Sequence, residues 1–192
     1  VGGEMCIRDE LGNDVVKPPD PPLYLDAYQG QAQHEPPAIG GLTTLQTVYA
    51  YDPMPSLLGP GERAHVLGAQ ANLWTEYIPT ASQLWYMAYP RTLALAELCW
   101  TPRALMSWDD FARRLGPALL RLEAMRIPFR IPEVRFRVEA PIGRRAAPRV
   151  LDRSVVLHGR SEATVRLEEL APNATIRYTM DGSLPTSGSR VY

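Results

Sequence analysis

The run His65–Trp74 is the feature that most constrains the fold of this 192-residue chain. It reads HVLGAQANLW, so apolar and small residues dominate and no polar face alternates with an apolar one. A strand of this composition is covered on both faces, which is typical of parallel sheets in α/β proteins. The run therefore predicts a buried parallel strand, in which the side chains of Gln70 and Asn72 need hydrogen-bonding partners.

Helical patterns follow this strand. Residues 81–100 predict a helix that is either kinked by Pro90 or begins again there. A second helix is predicted after Ser107, which caps its first turn, with Asp110 three residues on. The apolar positions of this second helix share one face, at spacings of three and four residues: Phe111, Leu115, Leu119, Leu122 and Met125.

Beyond about residue 141 the helical periodicity stops. Short β-like runs take over at residues 154–158, 164–167 and 175–180, and Asp181-Gly182 supplies a turn. The chain has a strand and helices before this point and short strands after it, which indicates two domains of different class. The predicted fold is therefore an α/β domain followed by an all-β domain.

The composition narrows the classes of function. Hydrophobic content of 45% and charged content of 21% are ordinary for a soluble globular protein, and a net charge of −1 gives no electrostatic case for nucleic acid. No apolar run is long enough to span a membrane. Because the two cysteines lack metal-ligand spacing and the three histidines are scattered, we expect no metal site and no cofactor. The 19 prolines favour long ordered loops of the kind that build active sites, or a proline-rich linker.

Two aromatic-acid triplets stand at the ends of predicted strands: Tyr24-Leu25-Asp26 and Trp74-Thr75-Glu76. In each triplet the aromatic and the acid are two residues apart, so in a strand both point to the same side. Residues at the carboxyl ends of barrel strands face the active site. An indole offers an apolar wall to a sugar ring, and carboxylates accept hydrogen bonds from hydroxyls. The triplets predict a sugar site, with a tryptophan buried in the core as the alternative.

Three segments closely resemble bacterial family 20 β-N-acetylhexosaminidases: GNDVVKPPDPPLYLDAYQ, EPPAIGGLTTLQTVYAYDPMP and HVLGAQANLWTEYIPTASQLWYMAYPRTLALAELCWTP. The resemblance covers about residues 12–132, with the motifs in the family's order and spacing. It implies the C-terminal portion of a (β/α)8 TIM barrel, namely the last two strands with their loops and helices. Residues 145–192 resemble the small β-sandwich that follows the barrel in chitobiases and related hexosaminidases.

The resemblance also implies a role for each triplet residue. Tyr24 would hydrogen-bond the oxygen of the substrate's 2-acetamido group. Asp26 and Glu76 would hold hydroxyls of the non-reducing sugar, O6 and O4, and Trp74 would line the pocket beneath that sugar. These residues therefore form the predicted substrate-binding set.

The family uses a substrate-assisted, retaining mechanism. The substrate's own acetamide oxygen attacks the anomeric carbon, a glutamate acts as general acid, and a neighbouring aspartate orients the acetamide. This acid pair is expected upstream of the chain, at the end of the fourth barrel strand; Gly2-Gly3-Glu4 has its glycine context but lacks the pair. Arg91 and Glu97 also match the family and are expected to be structural, with a buried charge contact.

The chain is expected to be a piece of a longer protein. Residues 1–9 include a run that resembles a translated sequencing adapter and are predicted to be an artefact, with a genuine surface segment as the alternative. We assign residues 10–135 to the barrel, residues 136–147 to a linker and residues 148–192 to a truncated β-sandwich domain. Such a piece would expose large apolar faces.

The predicted function of the whole protein is that of a β-N-acetylhexosaminidase. Its substrates would be glycans or chitooligosaccharides, and it would release N-acetylglucosamine or N-acetylgalactosamine. A non-catalytic carbohydrate-binding protein on the same fold is the alternative, and an α/β domain without a sugar role is the third. The resemblance implies a periplasmic, outer-membrane-associated or secreted protein, and the oligomeric state stays open.

Overall fold

The chain divides into two compact units, residues 1–130 and residues 131–192. Strand β3 (Arg135–Glu139) lies in the second unit, and its backbone pairs with another strand over residues that include 136–139 of the expected linker 136–147. Residues 1–9, the expected adapter segment, lie outside the described part. The computed structural model describes residues 13–19, 21–54, 58–139, 149–151, 154–156 and 164–192.

The first unit is an α/β arrangement. Its strands β1 (Val15–Lys17) and β2 (Val66–Ala69) pair in parallel, which confirms the parallel strand predicted within residues 65–74. None of the helices in the described ranges is long and apolar enough to cross a bilayer. The helices are α1 (Leu45–Ala50), α2 (Pro60–Arg63), α3 (Ala81–Ala88), α4 (Arg91–Trp100) and α5 (Trp108–Ala124), with 3-10 turns at Ala32–His34 and Arg103–Leu105.

The parallel pairing resumes beyond both strands. Tyr24 and Asn72 form an isolated parallel bridge. The Leu25 N–H donates to the Asn72 carbonyl at 2.7 Å, and the Asn72 N–H donates to the Leu23 carbonyl at 2.9 Å. Because the strands run in the same direction, the segments that follow them lie at the same edge of the sheet.

Strand β2 is shorter and less enclosed than predicted. It spans four residues, Val66–Ala69, instead of the whole run from 65 to 74. Val66 is buried but Leu67 is 65% exposed, and within the described ranges β2 pairs with β1 alone. The prediction of full burial is therefore wrong, because no described layer covers the Leu67 side. Gln70 and Asn72 partner each other, with the Gln70 amide donating to the Asn72 Oδ1 at 2.8 Å.

Two of the helices begin where local signals predict. Pro90 directly precedes α4 and separates it from α3, so the interruption predicted at this proline is confirmed as a restart. The Asp110 N–H donates to the Ser107 hydroxyl at 3.4 Å, which confirms the cap of α5. Met125 is 66% exposed, contrary to the prediction, because α5 ends at Ala124. The other predicted apolar positions of α5 are buried: Phe111, Leu115, Leu119 and Leu122.

An aromatic cluster joins the first α-helix of this unit to the last. The Tyr49 ring of α1 lies 5.2 Å from Trp108 and 4.9 Å from Phe111, centroid to centroid. Burial raises the pKa of the Tyr49 phenol, so this group stays neutral within the core. The cluster holds α1 against α5.

The second unit consists of antiparallel strand pairs. Gly182 adopts a positive φ of 81° in the predicted turn. The adjacent Asp181 carboxylate accepts from the Ser183 hydroxyl and N–H, and these bonds lower the pKa of Asp181. The all-β prediction is confirmed for the described strands. They pair β3 with β6 (Thr164–Glu168), β4 (Arg149–Leu151) with β5 (Ser154–Val156), and β7 (Arg177–Tyr178) with β8 (Arg190–Val191).

Candidate functional site

The bridge between Tyr24 and Asn72 brings the two aromatic-acid triplets to one edge of the sheet. Asp26 follows Tyr24 by two residues, and Trp74 follows Asn72 by two residues. Asp26 lies in the turn that begins directly after Tyr24, and Trp74 lies in the irregular segment that follows Asn72. The two segments predicted to bind sugar therefore meet at the carboxyl end of the parallel pair.

The four predicted binding residues differ in exposure. Asp26 is buried, with 5% of its surface exposed, and Tyr24 is half-buried. Trp74 is 56% exposed and Glu76 is exposed. The alternative of a tryptophan buried in the core is therefore wrong. The site offers one enclosed carboxylate, one open carboxylate and an accessible indole.

A buried arginine organises the main chain around Asp26. Arg91 is the first residue of α4 and is completely buried. Burial lowers its pKa to about 9, which still leaves the guanidinium protonated at neutral pH. The guanidinium donates to four main-chain carbonyls: Nη1 to Ala27 at 3.1 Å and Thr43 at 2.9 Å, and Nη2 to Leu25 at 2.6 Å and Met87 at 2.7 Å.

Glu97 has a different partner. Its carboxylate accepts two hydrogen bonds from the Arg114 guanidinium, at 2.6 Å and 3.1 Å. These bonds join α4 to α5 and raise the pKa of Arg114. The structural role expected of Arg91 and Glu97 fits these contacts, but the two residues contact separate groups.

A second buried polar cluster anchors the loop that continues from Asp26. The Glu35 carboxylate accepts from Arg130 Nε at 2.5 Å and from the Tyr86 hydroxyl at 2.8 Å. The side chains of Glu35 and Arg130 are only 2% and 7% exposed. Gln29 adds a bond from its amide to the Tyr86 carbonyl at 2.6 Å. Together these contacts tie residues 29–35 to α3 and to the segment after α5.

This cluster was not predicted from the sequence. Glu35 and Arg130 are 95 residues apart, and no periodicity links positions at that separation. Gly30 lies beside the cluster, where an added Cβ would be 2.2 Å from Arg130 Nη2 and 2.8 Å from Glu35 Oε1. In the part of the chain that the structure describes, no group of three or more His, Cys, Asp or Glu side chains could hold a metal ion.

Family profiles match both units. One described as "Glycosyl hydrolase family 20, catalytic domain" matches residues 7–103. The chain belongs to glycosyl hydrolase family 20. A second profile, "Chitobiase/beta-hexosaminidase C-terminal domain", matches residues 159–192 of this family 20 chain. The catalytic-domain match overlaps the expected adapter at residues 7–9. It also includes the adjacent acids Asp9 and Glu10. Both lie outside the described residues, and we assign them no role.

Curated relatives of this family 20 chain are much longer than the chain itself. A β-hexosaminidase of Porphyromonas gingivalis is 50% identical over 123 residues, which cover 64% of this chain and 16% of that protein. A β-hexosaminidase of Akkermansia muciniphila is 38% identical over 94 residues, which cover 48% of this chain and 18% of that protein. The chain therefore spans less than a fifth of each of these two relatives.

Solved structures of the family share the fold. A mutant Streptomyces plicatus β-hexosaminidase in complex with its product GlcNAc gives a TM-score of 0.58 at 32% identity, covering 66% of this chain and 25% of that one. A Vibrio harveyi exo-β-N-acetylglucosaminidase in complex with N-acetylglucosamine gives 0.58 at 31% identity, covering 66% and 20%. These similarities confirm the prediction of a partial family 20 barrel followed by a partial β domain.

Proposed function

We propose that the protein containing this family 20 chain hydrolyses terminal non-reducing N-acetyl-D-hexosamine residues of β-N-acetylhexosaminides. The observation that carries the proposal is the Tyr24–Asn72 bridge, which places both aromatic-acid triplets at one sheet edge. The names of the relatives support it, because the P. gingivalis and A. muciniphila proteins are both β-hexosaminidases.

In this proposal the chain supplies the sugar-binding set. The exposed Trp74 indole packs against the less polar face of the pyranose. Asp26 and Glu76 accept hydrogen bonds from sugar hydroxyls, each worth about 1.5–3 kcal/mol because the acceptor is charged. The Tyr24 hydroxyl donates to the acetamide oxygen. Recognition of the acetamide and of the hydroxyls thus comes from two adjacent strand ends.

The chemical step is substrate-assisted. The acetamide oxygen attacks the anomeric carbon, the bond to the leaving oxygen breaks as a glutamate protonates it, and water then opens the oxazolinium with net retention. Tyr24 holds the acetamide in a near-attack position, which removes part of the entropic barrier. The acid glutamate and the assisting aspartate belong to the rest of the protein in this proposal, and Asp26 and Glu76 take no proton.

Activity of the complete gene product tests the proposal. We expect hydrolysis of 4-nitrophenyl N-acetyl-β-D-glucosaminide and turnover at least about 100-fold slower for the β-glucoside without the acetamide, because the internal nucleophile is missing. An adjacent aspartate–glutamate pair after a glycine-rich strand is expected in the upstream sequence. A cooperatively melting protein that binds N-acetylglucosamine without hydrolysing any such substrate would indicate the carbohydrate-binding alternative.

The binding residues are tested in a chimera. Residues 13–130 of this chain replace the matching segment of the P. gingivalis β-hexosaminidase, whose 50% identity makes the exchange tolerable. Asp26→Ala and Trp74→Ala should each lower kcat/KM by about 10- to 100-fold. Arg113→Ala, at an exposed position of α5, is the control and should leave kcat/KM unchanged. Unchanged turnover in both site variants would contradict the sugar-binding role.

We also propose that the natural substrates are glycans or chitooligosaccharides and that the protein is periplasmic, outer-membrane-associated or secreted. The proposed location rests on the resemblance to family 20 β-N-acetylhexosaminidases. Cell fractionation with an antibody against this chain tests the location, and a purely cytoplasmic signal would contradict it.

A further inference from the structure

The main chain on both sides of Asp26 is bound by one guanidinium. The carbonyl that precedes Asp26, that of Leu25, accepts from Arg91 Nη2 at 2.6 Å. The carbonyl that follows it, that of Ala27, accepts from Arg91 Nη1 at 3.1 Å. The Arg91 guanidinium therefore bonds the peptide groups on both sides of Asp26.

We propose that Arg91 is a positioning residue for sugar recognition and that it acts through Asp26. The proposal rests on the proposed function, because Asp26 needs a fixed orientation only if it binds a sugar hydroxyl. Arg91 itself is completely buried and touches no substrate in this proposal. Its effect on turnover passes through the backbone of residues 25–27.

The geometry limits how Asp26 can move. The Leu25 N–H is already bonded to Asn72 at 2.7 Å, so both main-chain polar groups of Leu25 are fixed. A rotation of the backbone at Asp26 would break either this pairing or the bond that Arg91 donates to the Ala27 carbonyl. The two guanidinium nitrogens are held coplanar by resonance, so the spacing of the two carbonyls is fixed as well.

The other two bonds of Arg91 anchor this arrangement to the rest of the unit. Nη1 also donates to Thr43 at 2.9 Å, and Nη2 also donates to Met87 at the end of α3 at 2.7 Å. Arg91 thus links the loop at the site to two helices, because it is the first residue of α4 and bonds Met87 of α3. A binding carboxylate supported by rigid elements loses less entropy when a ligand binds.

The charges around Arg91 agree with this role. The negative charges of Asp26 and Glu35 favour the protonated guanidinium, whereas burial and the neighbouring Arg130 oppose it. Lysine at this position would keep the positive charge but would present one ammonium in place of a planar fork. It could not hold the carbonyls of Leu25 and Ala27 together with the other two acceptors in the same geometry.

A double-mutant cycle in the chimera tests the proposal. The four proteins are the unmodified chimera, Arg91→Lys, Asp26→Ala and the double variant, each assayed with 4-nitrophenyl N-acetyl-β-D-glucosaminide. We expect Arg91→Lys to lower kcat/KM by about 10-fold, mainly by raising KM, since residues that act through one contact are coupled. In the Asp26→Ala background the same change should lower kcat/KM by less than about 2-fold.

Arg114→Lys is the matched control. It also replaces an arginine fork, but the partners of Arg114 are Glu97 and Asp110, and it contacts none of residues 25–27 in the described structure. We expect it to leave kcat/KM unchanged in both backgrounds. A loss comparable to that of Arg91→Lys would show that any weakened arginine contact in this region reduces turnover, and would overturn the specific role.

The remaining outcomes separate the two proposals. If Asp26→Ala costs nothing, the proposed function fails together with this inference. If Asp26→Ala is costly but Arg91→Lys loses the same factor in both backgrounds, only the positioning role is overturned. Should Arg91→Lys melt without a cooperative transition, Arg91→Gln takes its place in the cycle. Failure of both variants to fold would show that Arg91 serves folding as a whole and would also overturn the proposal.

Discussion

Tyr24 and Asn72 lie opposite each other in a parallel bridge, and each is followed two residues later by a further residue of the candidate site. The bridge depends on main-chain bonds, with the Asn72 N–H donating to Leu23 and its carbonyl accepting from Leu25. The side chain of Asn72 bonds only the exposed Gln70 among the described partners. The backbone of Asn72, and not its side chain, therefore joins the segments that carry the two triplets.

Asn72→Pro and Asn72→Ala in the chimera distinguish the role of the backbone from that of the side chain at this position. Proline removes the N–H that donates to Leu23, so the two strand ends lose their register. We expect kcat/KM to fall at least about 10-fold, because both triplets shift. Asn72→Ala keeps both main-chain bonds and should stay within about 2-fold. Wild-type kinetics in the proline variant would show that the bridge does not organise the site.

Glu76→Gln tests the open carboxylate of the site. The amide keeps the shape but weakens a charge-assisted hydrogen bond, so KM should rise and kcat/KM fall by about 10-fold. With a deoxy substrate that lacks the hydroxyl bound by Glu76, the effect of the substitution should disappear. The control is Glu123→Gln, at an exposed position of α5, which should have no kinetic effect. An equal loss with the 4-deoxy and the 6-deoxy substrate would contradict a hydrogen bond to either hydroxyl.

Features encoded by neighbouring residues could be predicted from the sequence. The restart at Pro90 and the cap at Ser107 depend on groups within a few residues, and both are present in the structure. The apolar composition of the run that contains β2 likewise indicates a parallel strand, and β2 pairs in parallel with β1.

Features that depend on distant partners could not be predicted in the same way. The exposure of Leu67 reflects which layers cover β2, and the exposure of Met125 reflects where α5 ends. The acceptors of Arg91 lie on four separate residues, three of them 48 to 66 positions away. Only the folded backbone shows that these carbonyls converge on one guanidinium around Asp26.

Glu35→Gln should be among the more destabilising single substitutions in the first unit. Glu35 and Arg130 form an ion pair with side chains 2% and 7% exposed, so removal of one charge leaves the other poorly solvated. We expect a loss of about 3 kcal/mol in the free energy of unfolding of the chimera, measured by urea denaturation. The exposed pair of Arg113 with Asp110 is the comparison, and Arg113→Ala should cost less than about 1 kcal/mol. Equal losses from the two variants would mean that water reaches the Glu35 cluster.

Gly30→Ala and Gly61→Ala should change stability in opposite directions. At Gly30 a Cβ would contact the Arg130 guanidinium and the Glu35 carboxylate, whereas at Gly61 in α2 nothing lies within 4 Å. Overpacking at Gly30 should cost about 1–3 kcal/mol, and alanine in α2 should add about 0.5–1 kcal/mol through helix propensity.

The cost at Gly30 arises because the ion pair with Glu35 holds the Arg130 guanidinium in place. In a Glu35→Gln background Arg130 can move away from the added methyl group, so Gly30→Ala should cost less there than in the unmodified chimera. Urea denaturation of the four proteins of this cycle measures the difference. An unchanged cost would show that the backbone, and not the ion pair, sets the space at Gly30.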